Sequence, residues 1–201
     1  MLKIKPSFMF CIVGTVAVFS LTSCSSSSPE GRSAWSKATG DFYLGLEEVD
    51  TLKSAKPPVL RSPAYEAKLG KPKVRMTAGG DYELNYANPA QPFDRLAIQA
   101  ISRPFPKLNK VPKVSAEKEI NGKLTGVMIP QKFRTVTIEG QQVRWFQEST
   151  AGGADGAYYT TEGFSLKDIF GNIGYYRLVM EGGGSGGSEV AKRFASVKLS
   201  N

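Results

Sequence analysis

The chain has 201 residues, with 26 Lys and Arg against 18 Asp and Glu for a net charge of +8, two cysteines and no histidine. The missing histidine excludes Ser-His-Asp and Cys-His catalysis and imidazole-based zinc sites, and two cysteines allow one disulfide at most.

Lys3 and Lys5 precede an apolar run from Phe8 to Leu21, the pattern of a secretory signal. The run is too short for a stable membrane span, which takes ~20 apolar residues. It ends in Leu21-Thr22-Ser23-Cys24, which resembles the lipobox of bacterial lipoprotein precursors. The resemblance implies that residues 1–23 are a signal peptide, that Cys24 receives a thioether-linked lipid, and that cleavage before it frees an N-terminus for acylation, typically by palmitate. Three acyl chains, at ~0.8 kcal/mol per buried methylene, would anchor the protein permanently. Ser25 stands where aspartate would imply inner-membrane retention, so the outer membrane is the expected address in a Gram-negative envelope.

The signal carries two basic residues and no acidic ones, so its removal lowers the net charge from +8 to +6. Cys11 leaves with it and the Cys24 sulfur is occupied, so no disulfide or thiolate metal site is expected in the mature protein. The expected partners are a lipid bilayer through acylated Cys24 and an envelope protein, glycan or cell-wall polymer; nucleic acid is not expected. Residues 24–34, including the polar Ser25–Ser33 stretch, read as a lipidated cysteine and flexible tether. The remaining 35–201 reads as one β-rich domain of a size that removes ~70 % of its unfolded surface from water. A split near 103–130 is the alternative.

From Trp35 to Leu69 the spacing fits either a short strand or a helix, and Pro57, Pro58 and Pro63 break regular structure before Ala64. Lys73–Thr77, Tyr82–Tyr86 and Arg95–Ser102 read as strands separated by Gly79-Gly80 and by the Asn88-Pro89 and Gln91-Pro92 turns. Arg103–Lys113, where three prolines interleave with lysines, reads as an extended connector. Arg134–Glu139 and Gln142–Glu148 form a hairpin about Gly140, with Val136 and Ile138 on one face and Val143 and Trp145 on the other strand's matching face. Gly174–Glu181 and Glu189–Leu199 read as further strands joined by the glycine-rich loop Gly182–Ser188. With no long helix expected after residue 70, the class is all-β, a sandwich or barrel behind an irregular N-terminal segment.

Val143-Arg144-Trp145-Phe146-Gln147 resembles the tryptophan-bearing strand of immunoglobulin-like domains, and Asn172-Ile173-Gly174-Tyr175-Tyr176-Arg177-Leu178 resembles their D-x-G-x-Y tyrosine corner. Ala195–Leu199 is similar to their last strand. The resemblance implies an immunoglobulin-like sandwich with Trp145 at its centre. Asn172, Gly174 and Tyr176 would build the corner, the Tyr176 hydroxyl satisfying a backbone group while its ring packs inside. Gly80-Asp81-Tyr82-Glu83-Leu84 repeats the G-x-Y-x-L spacing of Gly174–Leu178, which two tandem small sandwiches would explain.

The residue types left for catalysis are few. Ser33 and Ser36 with Lys37 lack the desolvation that would activate a lysine. Asp155, Glu162 and Asp168 are the only carboxylate cluster for a glycosidase, and Gly152–Gly156 offers one carboxylate for calcium. No cofactor or phosphate-loop signature is present, so no catalytic residue, metal or cofactor is assigned. Adjacent aromatics on a strand face opposite ways, which makes Phe146, Tyr158 and Tyr159 the candidates for ligand or partner contact. The expected function is that of a non-enzymatic binding or structural module tethered in the envelope. A glycan-binding module is the alternative, and a small carbohydrate-active enzyme a third reading.

Overall fold

A computed structural model describes residues 42–43, 45–108, 114–129, 131–150, 157–182 and 187–200. The signal-like segment, Cys24, the tether and Asp155 lie outside the described residues. Short strands Glu47–Glu48 (β1) and Leu60–Arg61 (β2) come first, and then the helix Pro63–Leu69 (α1). The strands Lys73–Met76 (β3), Tyr82–Asn88 (β4), Gln91–Ile101 (β5), Val114–Ile120 (β6), Lys123–Ile129 (β7), Arg134–Ile138 (β8) and Gln141–Thr150 (β9) follow. Ala157–Thr161 (β10), Phe164–Lys167 (β11), Ile173–Gly182 (β12), the helix Gly187–Ala195 (α2) and Lys198–Leu199 (β13) complete the order.

Nine strands share one antiparallel sheet in the order β1-β3-β4-β5-β12-β10-β9-β8, with β11 also paired to β12; β6-β7 and β2-β13 form separate two-stranded sheets. The result is the expected all-β, sandwich-like fold, and it is not closed into a barrel. Both G-x-Y-x-L segments lie in the same sheet: Tyr82 and Tyr176 flank Ala100 from either side, and Leu84 and Leu178 flank Ile98. The repeat therefore marks equivalent places on two strands around β5 and not tandem sandwiches.

Strict alternation gives the central sheet two different faces. One carries Tyr82, Leu84, Tyr86, Leu96, Ile98, Tyr176, Leu178, Met180 and Trp145, all buried in the main core. Both helices cover this face. The expected strand over Glu189–Leu199 is mostly α2, because Val190, Phe194 and Val197 recur at helical spacing and all three are fully buried. Only Lys198–Leu199 remains extended, paired with Leu60–Arg61. Pro63 likewise opens α1 at its first position, where a proline's missing N–H costs nothing, rather than ending an element.

The hairpin of β8 and β9 forms as expected, its turn taking positive φ at Glu139 (47°) and Gly140 (78°). A second hairpin of the same kind, β6–β7, turns at Asn121-Gly122 with φ of 52° and 74°, between the expected connector and the expected β8 strand. Asn-Gly suits that turn because both central residues need positive φ. The connector after β5 is irregular through Leu108, but it is no solvated arm: Phe105 and Leu108 are buried.

An extended strap, Pro58–Ser62, crosses the helix-bearing face and is held by tyrosine hydroxyls. Tyr82 and Tyr176 both donate to the Pro58 carbonyl, at 2.8 and 2.7 Å. The Leu60 amide donates to the Tyr82 hydroxyl at 2.8 Å and the Ser62 amide to that of Tyr86 at 3.2 Å. Tyr176 thus satisfies a backbone group with its ring inside, but the group belongs to a strap 118 residues away and not to a local corner. Gly174 makes this possible, since a Cβ there would lie 2.2 Å from the Tyr176 hydroxyl oxygen.

Replacing Gly174 by Ala should therefore destabilise the fold by about 2 kcal/mol or more through overpacking, whereas Tyr176→Phe should cost about 1 kcal/mol because Pro58 keeps its bond from Tyr82. Urea unfolding checks both, and a neutral Gly174→Ala would refute the close approach. Phe194→Ala should cost about 3–5 kcal/mol, the range for emptying a filled core site; a solvent-facing side chain would lose under 1.

Candidate functional site

The opposite face of the central sheet departs from a plain sandwich interior. At one end it is apolar, where Phe42, Leu46, Ile101, Phe105, Leu108 and Phe146 form a second buried cluster with Tyr175 and Phe133 against it. Beyond that cluster the face turns polar. Arg75, Glu83, Gln99 and Arg177 are cross-strand partners in one row over β3, β4, β5 and β12.

Three of the four are buried, with Glu83 0 % and Arg177 2 % exposed, while Arg75 at the end of the row is half-buried. Burying such groups is costly unless they are paired. The Arg177 Nε donates to Gln99 Oε1 at 2.8 Å, and Gln99 Nε2 donates to Glu83 Oε2 at 2.9 Å and to the Tyr43 hydroxyl. Arg75 Nη1 stands 3.8 Å from Glu83 Oε1. Burial, and then the Glu83 carboxylate, push the Tyr43 hydroxyl pKa up, so it stays protonated.

Four residues further along, the face opens. Arg95, Glu181 and Tyr158 are successive partners across β5, β12 and β10, and each is half-buried. The Tyr158 hydroxyl donates to Glu181 Oε1 at 2.9 Å, and Arg95 Nε donates to Asn85 Oδ1 at 2.9 Å. The Glu181 hydrogen bond is the main cause of the raised Tyr158 pKa. A guanidinium, a carboxylate, an amide and a phenol thus stand within reach of solvent on a rigid ladder.

The aromatic candidates separate on this geometry. Tyr158 belongs to the open row. Tyr159 points to the other face and packs edge-on against Trp145, ring centres 6.0 Å apart. Phe146 is buried in the second cluster, edge-on to Phe133, and offers no surface to a ligand, which corrects its place among the contacts. Trp145 is a core residue, as expected, but it packs against Phe194 of α2. Asn172 serves a turn, donating its side-chain amide to Asp168 Oδ2 at 2.8 Å.

Of the carboxylate cluster, Asp155 lies outside the described residues, and the other two are each engaged locally. Glu162 is held by Arg144 through two bonds of 2.6 and 2.7 Å, and Asp168 caps its own turn. On the polar face, Glu83 and Glu181 are two strands and four residues apart, about 16 Å by sheet spacing, against the ~5–9 Å of a glycosidase pair. Among the described residues no cluster of Cys, Asp and Glu is placed to hold a metal.

The sequence reading missed Arg75, Glu83, Gln99, Arg177, Arg95 and Glu181. Their signal was polar residues at every second position of strands whose other face is apolar, as in Tyr82-Glu83-Leu84-Asn85-Tyr86.

A groove of about 250 Å³ between the helices is lined by Tyr65, Lys68, Glu189 and Arg193. Two of its cations are committed to one carboxylate of β5. Lys68 and Arg193 each approach Asp94 to 2.6 Å, and Tyr65 donates to the same carboxylate at 3.3 Å, tying both helices to β5. Burial pushes Asp94 up, but the Lys68 hydrogen bond and the Arg193 charge outweigh it and hold the pKa below the ordinary aspartate value. A depressed carboxylate adds stability above its unfolded pKa and loses it as pH falls through the folded one. Asp94→Asn should therefore cost about 1–3 kcal/mol at neutral pH, and the deficit should shrink as pH falls below ~4. Denaturant midpoints along a pH series check this; a deficit constant with pH would refute it. No protein-family model, curated protein or solved structure matches the chain.

Proposed function

We propose that the protein is a lipid-anchored bacterial envelope protein, sorted to the outer membrane where the envelope is Gram-negative, that works by binding. Its recognition surface is the polar face of the central sheet, and its partner is another envelope protein. The Leu21–Cys24 lipobox resemblance supports the anchor. The observation that carries the binding role is the half-exposed row of Arg95, Glu181 and Tyr158 with Asn85 beside it. Folding does not require charged groups at the open end of a sheet face, yet here they are preorganised by hydrogen bonds, which lowers the entropy cost of association.

A photocrosslinking residue at Tyr158 in the full-length protein, in cells, should yield one dominant protein adduct, absent when the probe sits at Tyr159 on the other face. Labelling at neither position, or at both equally, would overturn the assignment. In parallel, the N-terminal peptide should carry the mass of acylated Cys24, and Cys24→Ser should leave residues 1–23 attached.

A glycan is the second reading, favoured by Tyr158 itself: a phenol ring beside a carboxylate, an amide and a guanidinium offers the stacking surface and hydrogen-bond groups that sugars use. Oligosaccharide binding that falls about tenfold or more in both Tyr158→Ala and Glu181→Gln would favour it, since losing a bond to a charged group is worth ~1.5–3 kcal/mol.

A further inference from the structure

Three of the four exposed large apolar side chains among the described residues fall within five positions: Ile169 (74 % exposed), Phe170 (82 %) and Ile173 (52 %). They sit at the turn between β11 and β12, and this turn is rigid. Asp168 Oδ1 accepts from the amides of Phe170 and Asn172 at 2.9 and 2.8 Å, and Oδ2 accepts from the Asn172 side chain at 2.8 Å. Two main-chain bonds close it, Asp168 to the Asn172 carbonyl at 3.0 Å and Gly171 to the Asp168 carbonyl at 3.1 Å.

Asp168, Gly171 and Asn172 supply everything the turn needs. Residues 169 and 170 contribute only backbone, so polar side chains would serve the fold as well, and their apolar character calls for another cause. The carboxylate of Asp168 is engaged by the turn's own donors, while Ile169 and Phe170 are exposed, with the exposed Lys167 beside Gly171. Large apolar side chains next to a lysine suit the interface of a bilayer, which takes apolar groups below and attracts cations to anionic headgroups.

Position in the fold supports the same occupant. Tyr175 pairs with Ile101 at the end of β5, two residues from Ile173, and both belong to the buried cluster that contains Phe42. Phe42 therefore packs at the sheet end that bears the turn. Phe42 is 18 residues beyond Cys24, a span of at most ~60 Å. An anchor at Cys24 thus leaves this end of the domain free to reach the membrane surface.

We propose that the Asp168–Ile173 turn is a second membrane contact, inserting Ile169 and Phe170 into the bilayer interface and setting which way the domain faces. The inference rests on the lipid-anchored reading above. A bilayer contact at the cluster end of the sheet leaves the open row, at the far end of the same strands, pointing away from the membrane.

The test is a Phe170→Trp variant of the full-length protein, reconstituted into vesicles of phosphatidylethanolamine and phosphatidylglycerol containing brominated lipid; if Cys24 proves unmodified, the vesicles are added to the free protein. The parent, with Trp35 and Trp145, is the blank. Insertion predicts a blue-shifted emission at residue 170 that lipid bromines quench about twofold or more, and an added Ile169→Ser change that cuts this quenching by about half or more as apolar area is lost. Emission that stays open to water-soluble quencher with vesicles present would overturn the proposal. So would shielding already complete without vesicles and insensitive to bromine, which would mean that a protein covers the turn. The mass of the Cys24 peptide is read separately, so failure of the anchor and failure of the turn are distinct results.

Discussion

The fold depends on three tyrosine hydroxyls that take the place of a neighbouring strand. The Pro58–Ser62 strap has β13 on one side, Leu60–Arg61 facing Lys198–Leu199, and no strand on the other. Its remaining amides and the Pro58 carbonyl would be buried without partners, at ~1–3 kcal/mol each. Tyr82, Tyr86 and Tyr176 reach up from β4 and β12 to satisfy them. The same contacts place Ser62, and with it the start of α1, whose Glu66 accepts the Tyr86 hydroxyl at 2.9 Å. Burial holds all three hydroxyls protonated, with their pKa values above the ordinary tyrosine range.

Because the strap and both helices occupy one side, the other side of the same strands is free to carry different chemistry. Apolar residues fill it only where the N-terminal segment and the connector fold over it. The rest holds a linked row from Arg75 to Arg177 and an open row ending at Tyr158. The period of two thus divides labour within single strands: Tyr82, Leu84 and Tyr86 hold the fold, while Glu83 and Asn85 form the polar surface.

What could be read in the sequence was local. The β8–β9 hairpin announced itself through alternation and a turn, and β12 through its length. The β6–β7 hairpin carries an equally strong Asn121-Gly122 turn signal, but Glu117, Lys118, Glu119 and Lys123 around it are residue types that strands disfavour. The helix α2 was hidden by its glycine-rich lead-in and by β-favouring Val190 and Phe194, although their spacing is helical. The shared role of Tyr82 and Tyr176 was visible as a repeated G-x-Y-x-L, yet its meaning lay in a carbonyl far away in the chain, which no local pattern encodes. The polar rows were unreadable for a related reason: burial of Glu83 and Arg177 follows from which strands become neighbours, and residues 83, 99 and 177 meet only once the sheet is assembled.

The pairing of β2 with β13 has a consequence for when this domain can fold. Val59 accepts from the Ser200 amide at 2.7 Å, so the strap is locked by residues 198–200, far along the chain. Closing so long a loop carries the slow kinetics of high contact order. Until residues 198–200 reach the strap, Leu60, Arg61 and the Val59 carbonyl lack these main-chain partners. Neither the strap nor Lys198–Leu199 has another strand partner among the described residues, so two segments far apart in the chain must find each other before either is ordered.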